Sequence, residues 1–147
     1  MASYRKVAAL AAVDAAYLAG LVDGEGTVSL TRRHRADERQ LVVSISSTER
    51  ELLEHVVSVV GAGRITSKRT YRAEHAPSFT FAICNRQALD LLVRITPYLR
   101  GYKRDRAQLV LDQYVALTPR NGRYTEHIKE KREAFIQRFF SLTARAR

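Results

Sequence analysis

Asp23 and Glu25 stand two positions apart among Gly20, Gly24 and Gly26, directly after a stretch rich in alanine and leucine. Carboxylates at the end of a helix add their charge to its unpaired backbone carbonyls and to the negative end of its dipole. Hard oxygen donors with little steric cover suit Mg2+, which keeps several waters and bridges to phosphate oxygens. Cys84 is the only cysteine, so the chain can hold neither an internal disulfide nor a cysteine-based zinc site. His34, His55, His75 and His127 have no paired ligand spacing, so a metal would need oxygen ligands. Of the two acids, Asp23 reads more simply as a helix-end residue bonded to nearby backbone.

The charge balance points to the substrate class. Twenty-five Lys and Arg residues face 15 Asp and Glu, a formal charge of +10 over 147 residues. Such an excess fits a polyanion, nucleic acid ahead of a membrane surface. All of the surplus lies after residue 26, because Arg5 and Lys6 are outweighed by Asp14, Asp23 and Glu25. A dense basic segment, Arg100-Gly101-Tyr102-Lys103-Arg104 with Arg106 close behind, precedes the apolar run Leu109-Val110-Leu111. Each of these arginines taken alone also fits a plain phosphate contact or a solvated charge. No apolar run approaches a membrane span, and no signal-type cleavage pattern follows the first residues. An intracellular protein with no membrane partner and no small-molecule substrate is expected, in a bacterial or archaeal cytoplasm or an organelle matrix.

These residues need elements to position them. Ala8 to Val22 reads as a helix ended by glycines. Thr27 to Arg33 and Gln40 to Ser46 alternate as half-buried strands, joined by the charged stretch Arg32 to Arg39. Thr48-Glu49-Arg50-Glu51 has the form of a capping box opening a helix to about Val60, with Gly61 and Gly63 ending it. Arg64 to Arg72 and Ser78 to Ile83 form a second strand pair, and Asn85 is placed to cap a helix from Arg86 to Ile95 that Pro97 stops. Helices from about Lys103 to Leu117 and from Glu126 to Leu142 complete the chain. The expected class is α+β with one antiparallel sheet, as a single domain over residues 1–147. Thr27, Ser29, Thr31, Arg33, Gln40, Ser44, Ser46, Arg64, Thr66, Lys68, Ser78 and Thr80 share the outward parity. They carry hydrogen-bonding groups suited to base edges, and acids are nearly absent among them. Polar outward residues also occur in any half-exposed sheet.

The decapeptide Tyr17 to Gly26, Y-L-A-G-L-V-D-G-E-G, resembles the signature of the LAGLIDADG homing endonuclease family, and the order of elements from 14 to 117 is similar to that family's. The resemblance implies an α-β-β-α-β-β-α fold whose curved antiparallel sheet is a DNA-binding saddle. It implies a site-specific double-strand DNA endonuclease of the intron-homing type, acting on a long pseudo-palindromic site. Mg2+ would be the cofactor, with Mn2+ substituting and Ca2+ binding without cleavage. Glu25, where the name spells Asp, takes the place of the metal-binding carboxylate, and the Gly24 carbonyl assists it. Lys103 matches the active-site lysine, while Ser47 stands where a polar residue orients water and Arg50 supplies a further basic group. Ser47 and Thr48 also fit plain capping roles.

Only one motif copy is present, so the partner helix should come from a second copy of the chain, related by a two-fold axis. Ala8, Ala12, Ala16 and Gly20 recur every four residues, as do Ala11, Ala15 and Ala19, and small side chains at that spacing let two helices approach closely. Ala12, Ala16, Ala19 and Gly20 are the expected dimer seam. Two other functions suit the same fold, an intron RNA-splicing maturase and a non-catalytic DNA-binding protein.

Overall fold

The computed structural model describes residues 6–68, 76–119 and 121–146. Helix α1 (Ala12–Glu25) leads into strands β1 (Gly26–Thr31) and β2 (Gln40–Ser47), then helix α2 (Arg50–Val60). Strands β3 (Arg64–Lys68) and β4 (Ser78–Cys84) follow, then helices α3 (Asn85–Ile95), α4 (Tyr102–Gln113) and α5 (Glu126–Ser141). Positions 69–72 of the longer strand expected after Arg64 lie outside the described residues. The strands form one antiparallel sheet in the order β1-β2-β4-β3.

Alternation along the strands builds the core. Val28, Leu30, Leu41, Val43, Ile45, Phe81 and Ile83 are buried on one face, together with Leu18, Leu53, Leu91, Leu92 and Val110 from the helices. Thr27, Thr31, Gln40, Arg64 and Thr66 on the opposite parity are exposed, while Ser29, Ser44, Ser46 and Thr80 are half-buried. Burying the apolar face is the main driving force for this arrangement, at about 25 cal/mol per Å2 of apolar surface. Among the described residues no helix is long and apolar enough to cross a membrane.

Helix α1 starts and ends later than the sequence suggests, and the end matters. Its last turn includes Gly24 and Glu25, and the Gly26 N–H donates to the Val22 carbonyl to close it. A Cβ at position 26 would stand 2.7 Å from Val22 Cα and 2.8 Å from the Ser44 carbonyl oxygen, so only glycine lets the helix end lie against β2. Gly61 ends α2 as expected, in the left-handed conformation at φ 75° with its N–H on the Val57 carbonyl.

Two caps form differently from the sequence reading. Strand β2 runs one residue further, to Ser47, whose hydroxyl accepts from the Glu49 N–H at 3.0 Å. That shift makes Glu49 the N-cap of α2, without a side-chain bond, and the Thr48 capping box does not form. Asn85 is the first residue of α3 and not its cap. Its side chain instead donates to Gln40 Oε1 at 3.2 Å and accepts from the Tyr114 hydroxyl at 2.9 Å. Tyr114 Oη in turn accepts from the Leu41 N–H at 3.1 Å, so this fully buried phenol spends its polar atom on β2 and α3.

Helix α4 ends at Gln113, because the chain tightens through Tyr114 to Leu117, with the Leu117 N–H on the Tyr114 carbonyl. Arg132 on α5 secures that turn. Its buried guanidinium donates to the Leu117 carbonyl at 2.7 Å, the Arg39 carbonyl at 2.8 Å and Glu38 Oε2 at 3.1 Å. Helix α5 thereby holds the connection between β1 and β2.

Candidate active site

The end of α1 and the start of α4 meet through two side chains. Lys103, in the first turn of α4, donates from Nζ to the Val22 carbonyl at 2.9 Å and the Asp23 carbonyl at 3.0 Å. The Val22 carbonyl already takes the Gly26 N–H and gains a second donor, while the Asp23 carbonyl is one that a helix end leaves unpaired, and a cation there also opposes the negative end of the dipole. Burial pulls the Lys103 pKa below its ordinary value, with Arg106 pushing the same way and the Asp23 and Glu25 carboxylates resisting. Asp23 reaches back across the same junction. Its Oδ2 accepts from the Arg100 N–H at 2.8 Å and its Oδ1 from the Gly101 N–H at 3.3 Å. The expectation for Asp23 named nearby backbone, and the backbone it bonds is distant in sequence.

Glu25 is exposed at the last position of α1. It lines a shallow groove with Ile45, Ser46, Ser47, Thr48, Glu49, Leu52 and Ser78. The groove brings the expected ligand together with Ser47, the residue expected to orient water. Arg50 is not part of its lining. The Arg50 guanidinium bonds Glu54 Oε1 at 3.1 Å and stacks 5.3 Å from the centre of the Phe79 ring, with half of its side chain exposed. Arg106 donates to the Leu142 and Val28 carbonyls and stacks on Phe139 and Tyr102, which makes it a tie between α4, α5 and β1.

Among the described residues no three His, Cys, Asp or Glu side chains cluster as a metal cage. The donor set is one exposed carboxylate with the Gly24 carbonyl beside it, and Lys103 bonds the two carbonyls before Gly24. So open a set fits Mg2+, which keeps most of its shell as water and phosphate oxygens, and does not fit a metal that needs a full protein cage.

Register assembles the outward strand residues into rows. Thr31 faces Gln40; Ser29 faces Val42, which faces Cys84. Thr27, Ser44, Ala82 and Arg64 make a third row, Ser46, Thr80 and Thr66 a fourth, and Ser78 pairs with Lys68. Hydroxyl pairs stitch two of them, Thr27 with Ser44 at 2.7 Å and Ser46 with Thr80 at 2.9 Å. Arg33 alone among the expected DNA-contacting residues lies off the sheet, exposed in the connection after β1. Val42, Ala82 and Cys84 belong to this face too, and although they are not hydrogen-bonding side chains, their parity with Ser44 and Thr80 is the signal that finds them.

The outer face of α1 is bare. Ala12, Ala16 and Gly20 are exposed beside Val13, which is 80% exposed, and Tyr17, and a Cβ at Gly20 or Gly24 would meet nothing within 4 Å. Ala19 departs from the expected seam. It is fully buried with Ala15, Leu18 and Val22 in the chain's own core, because it lies on the side of the helix that packs on the sheet.

Residues 12–95, from the first helix through α3, match the family model of the LAGLIDADG-like domain. The chain belongs to that family. The match ends before α4, so Lys103 lies beyond the segment that defines the LAGLIDADG-like domain. The fold is that of solved homing endonucleases. It is similar to the homing endonuclease I-CvuI in complex with its target, at a TM-score of 0.73 and 22% identity, covering 90% of this chain and 83% of that one. It is also similar to the archaeal intron-encoded homing endonuclease I-Vdi141I complexed with DNA, at 0.61 and 16%, covering 89% and 84%. Against the meganuclease I-SmaMI bound to uncleavable DNA the values are 0.62 and 19%, with 91% of this chain covering 45% of that one. No curated protein matches the chain by sequence.

Proposed function

We propose that this chain is a homodimeric, Mg2+-dependent, site-specific endonuclease that cuts both strands of a long pseudo-palindromic DNA site. The observation that carries the reading is the position of Glu25. It is an exposed carboxylate at the end of a helix whose outer face is small and bare, beside a sheet face of hydrogen-bonding side chains. Two such helices crossing at Ala12, Ala16 and Gly20 would bring both Glu25 carboxylates to the two-fold axis, one for each strand. Coverage supports the pairing, since this chain spans most of I-CvuI and less than half of I-SmaMI, as expected if the longer chain holds two such units.

Glu25 and the Gly24 carbonyl would hold the ion. Mg2+ at that position would supply a Lewis acid for the phosphate oxygens and lower the pKa of a bound water. The chain does the rest. Lys103 keeps the end of α1 in place and offers its remaining N–H to the phosphate, where charge develops during attack. Ser47, which lines the same groove as Glu25, would hydrogen-bond the attacking water. The strand rows set the register on the duplex, through side chains that reach base edges in the major groove.

The test uses a duplex site that the purified protein selects from a randomised library, carried on a supercoiled plasmid. Linear product in Mg2+ and in Mn2+, with binding but no cutting in Ca2+, is the expected result. Binding without cutting in every metal would leave a DNA-binding protein on this fold, and splicing activity on an intron RNA without DNA cleavage would leave a maturase.

A further inference from the structure

Two acids at one helix end invite the assumption that both serve the same ion, and the geometry separates them. Glu25 projects into the open groove. Both oxygens of Asp23 are already committed, Oδ2 to the Arg100 N–H at 2.8 Å and Oδ1 to the Gly101 N–H at 3.3 Å. Those amides belong to the two residues before α4, and Gly101 is that helix's N-cap. A carboxylate there lies at the positive end of the α4 dipole, and a charged acceptor makes each bond stronger than a neutral one. Two residues further on, Lys103 returns the connection, bonding the carbonyl of Asp23 itself and that of Val22.

The bonds close a ring. It runs from the Asp23 side chain to the Arg100–Gly101 backbone, through the first turn of α4 to the Lys103 amine, and back to the Asp23 backbone. We infer that Asp23 is a positioning residue, one that fixes the start of α4 so that the Lys103 amine stands at the end of α1 beside Glu25. Gly101 brings no side chain to the junction, and a Cβ there would stand 3.5 Å from Asp23 Oδ1. The division of labour is then plain: one acid of the motif faces the groove, and the other aligns the cation. The inference rests on the endonuclease reading for its consequence in catalysis, but the latch itself is a property of the chain alone.

Four proteins test it: wild type, Asp23→Ala, Lys103→Met and the double variant, with Asp23→Asn as the milder change should alanine compromise folding. Single-turnover cleavage of the selected duplex is measured in Mg2+ at saturating protein, and affinity for the same duplex in Ca2+. Asp23→Ala should slow the bound-complex step about tenfold or more while affinity stays within about threefold. Once Lys103→Met is in place, adding Asp23→Ala should cost little further, because a residue that acts through Lys103 has nothing left to position. Asp23→Asn, which keeps one carbonyl acceptor, should fall between. In free protein without metal or DNA, hydrogen exchange at the Arg100 and Gly101 amides should accelerate in Asp23→Ala while core amides of β2 stay protected. Losses that multiply across the cycle, or an unchanged bound-complex rate, would overturn the positioning role, and unchanged exchange at both amides would overturn the latch. A wild-type protein that cuts no DNA would refute the endonuclease reading instead, leaving the exchange measurement to decide the latch.

Discussion

The Lys103 amine lies 2.9 Å from the carbonyl oxygen of Val22, a residue 81 positions earlier, and this bond ties the two helices that frame the candidate active site. An ammonium has three N–H donors, and Val22 and Asp23 take two of them. Lys103→Met should therefore do two things at once, freeing the end of α1 and removing the cation from the phosphate. The bound-complex cleavage rate should drop about a hundredfold, the scale of losing one preorganised donor to developing charge, with a much smaller change in affinity. Quench experiments at saturating protein separate the two, and a loss confined to affinity would reduce Lys103 to a phosphate contact.

Glu25→Gln keeps the shape of the side chain and removes its charge. With no second carboxylate in the groove that Glu25 shares with Ser47 except Glu49, the site has little to compensate with. Cleavage should fall by about a hundredfold or more, since a bound ion supplies several kcal/mol of charge stabilisation. Affinity for the selected duplex should hold, because phosphate and groove contacts carry most of it. Near-normal single-turnover cutting by Glu25→Gln would remove this residue from the ion.

How far the sequence carried this site depends on how local each feature is. The decapeptide from Tyr17 to Gly26 and the alternation of Val28, Leu30, Leu41, Val43 and Ile45 are written in adjacent residues, so the motif, the strand faces and the order of elements were all legible. Contacts that bridge long stretches of chain were not. Nothing near Asp23 announces its bonds to Arg100 and Gly101, and nothing near Asn85 announces Gln40 and Tyr114. Ala19 was misplaced for a related reason. A four-residue repeat of small side chains runs down two adjacent stripes of a helix, and only the packed structure tells which stripe meets the sheet. Arg132 shows the limit most clearly, since an arginine in a charged helix gives no hint that it will be 2% exposed with three acceptors from two connections around its guanidinium.

That burial sets up a stability prediction. Arg132→Met keeps the aliphatic stem but leaves the Leu117 and Arg39 carbonyls without the donor they have now. The variant should lose roughly 3 kcal/mol, as when one partner of a buried charged network is removed. Its effect on DNA should appear in affinity, because the connection carrying Arg33 would lose its tether to α5. Urea midpoints and a binding titration check both parts, and a variant as stable as wild type would mean that solvent satisfies those carbonyls.

Gly20→Leu tests the pairing of two chains. A Cβ there meets nothing within 4 Å beyond its own turn of helix, and the position is exposed, so the isolated fold should tolerate it. Across a two-fold seam it would force two helix backbones apart and misplace both Glu25 carboxylates. Dimerisation and cleavage should then be lost together while circular dichroism shows the secondary structure unchanged. Sedimentation of a wild-type monomer that cuts both strands as a monomer would refute the arrangement.

The reading face gives the most distinctive expectation, because a two-fold dimer shows each side chain to both halves of its site. Ser44 lies in the middle row of the sheet, between Thr27, to which its hydroxyl is bonded at 2.7 Å, and Ala82. Ser44→Arg breaks that bond and extends a guanidinium from the half-buried centre of the face, where it can reach the O6 and N7 acceptors of guanine. Preference should change at two base pairs placed symmetrically about the centre, by about 1–3 kcal/mol at each. The row of Thr27, Ser44, Ala82 and Arg64 holds no acid, so the new arginine has no carboxylate in its row to divert it. Cleavage profiles over every single-base variant of the selected site measure the change directly. A shift in one half only, or a flat profile across several such substitutions in the same row, would mean that bases are read elsewhere on the molecule.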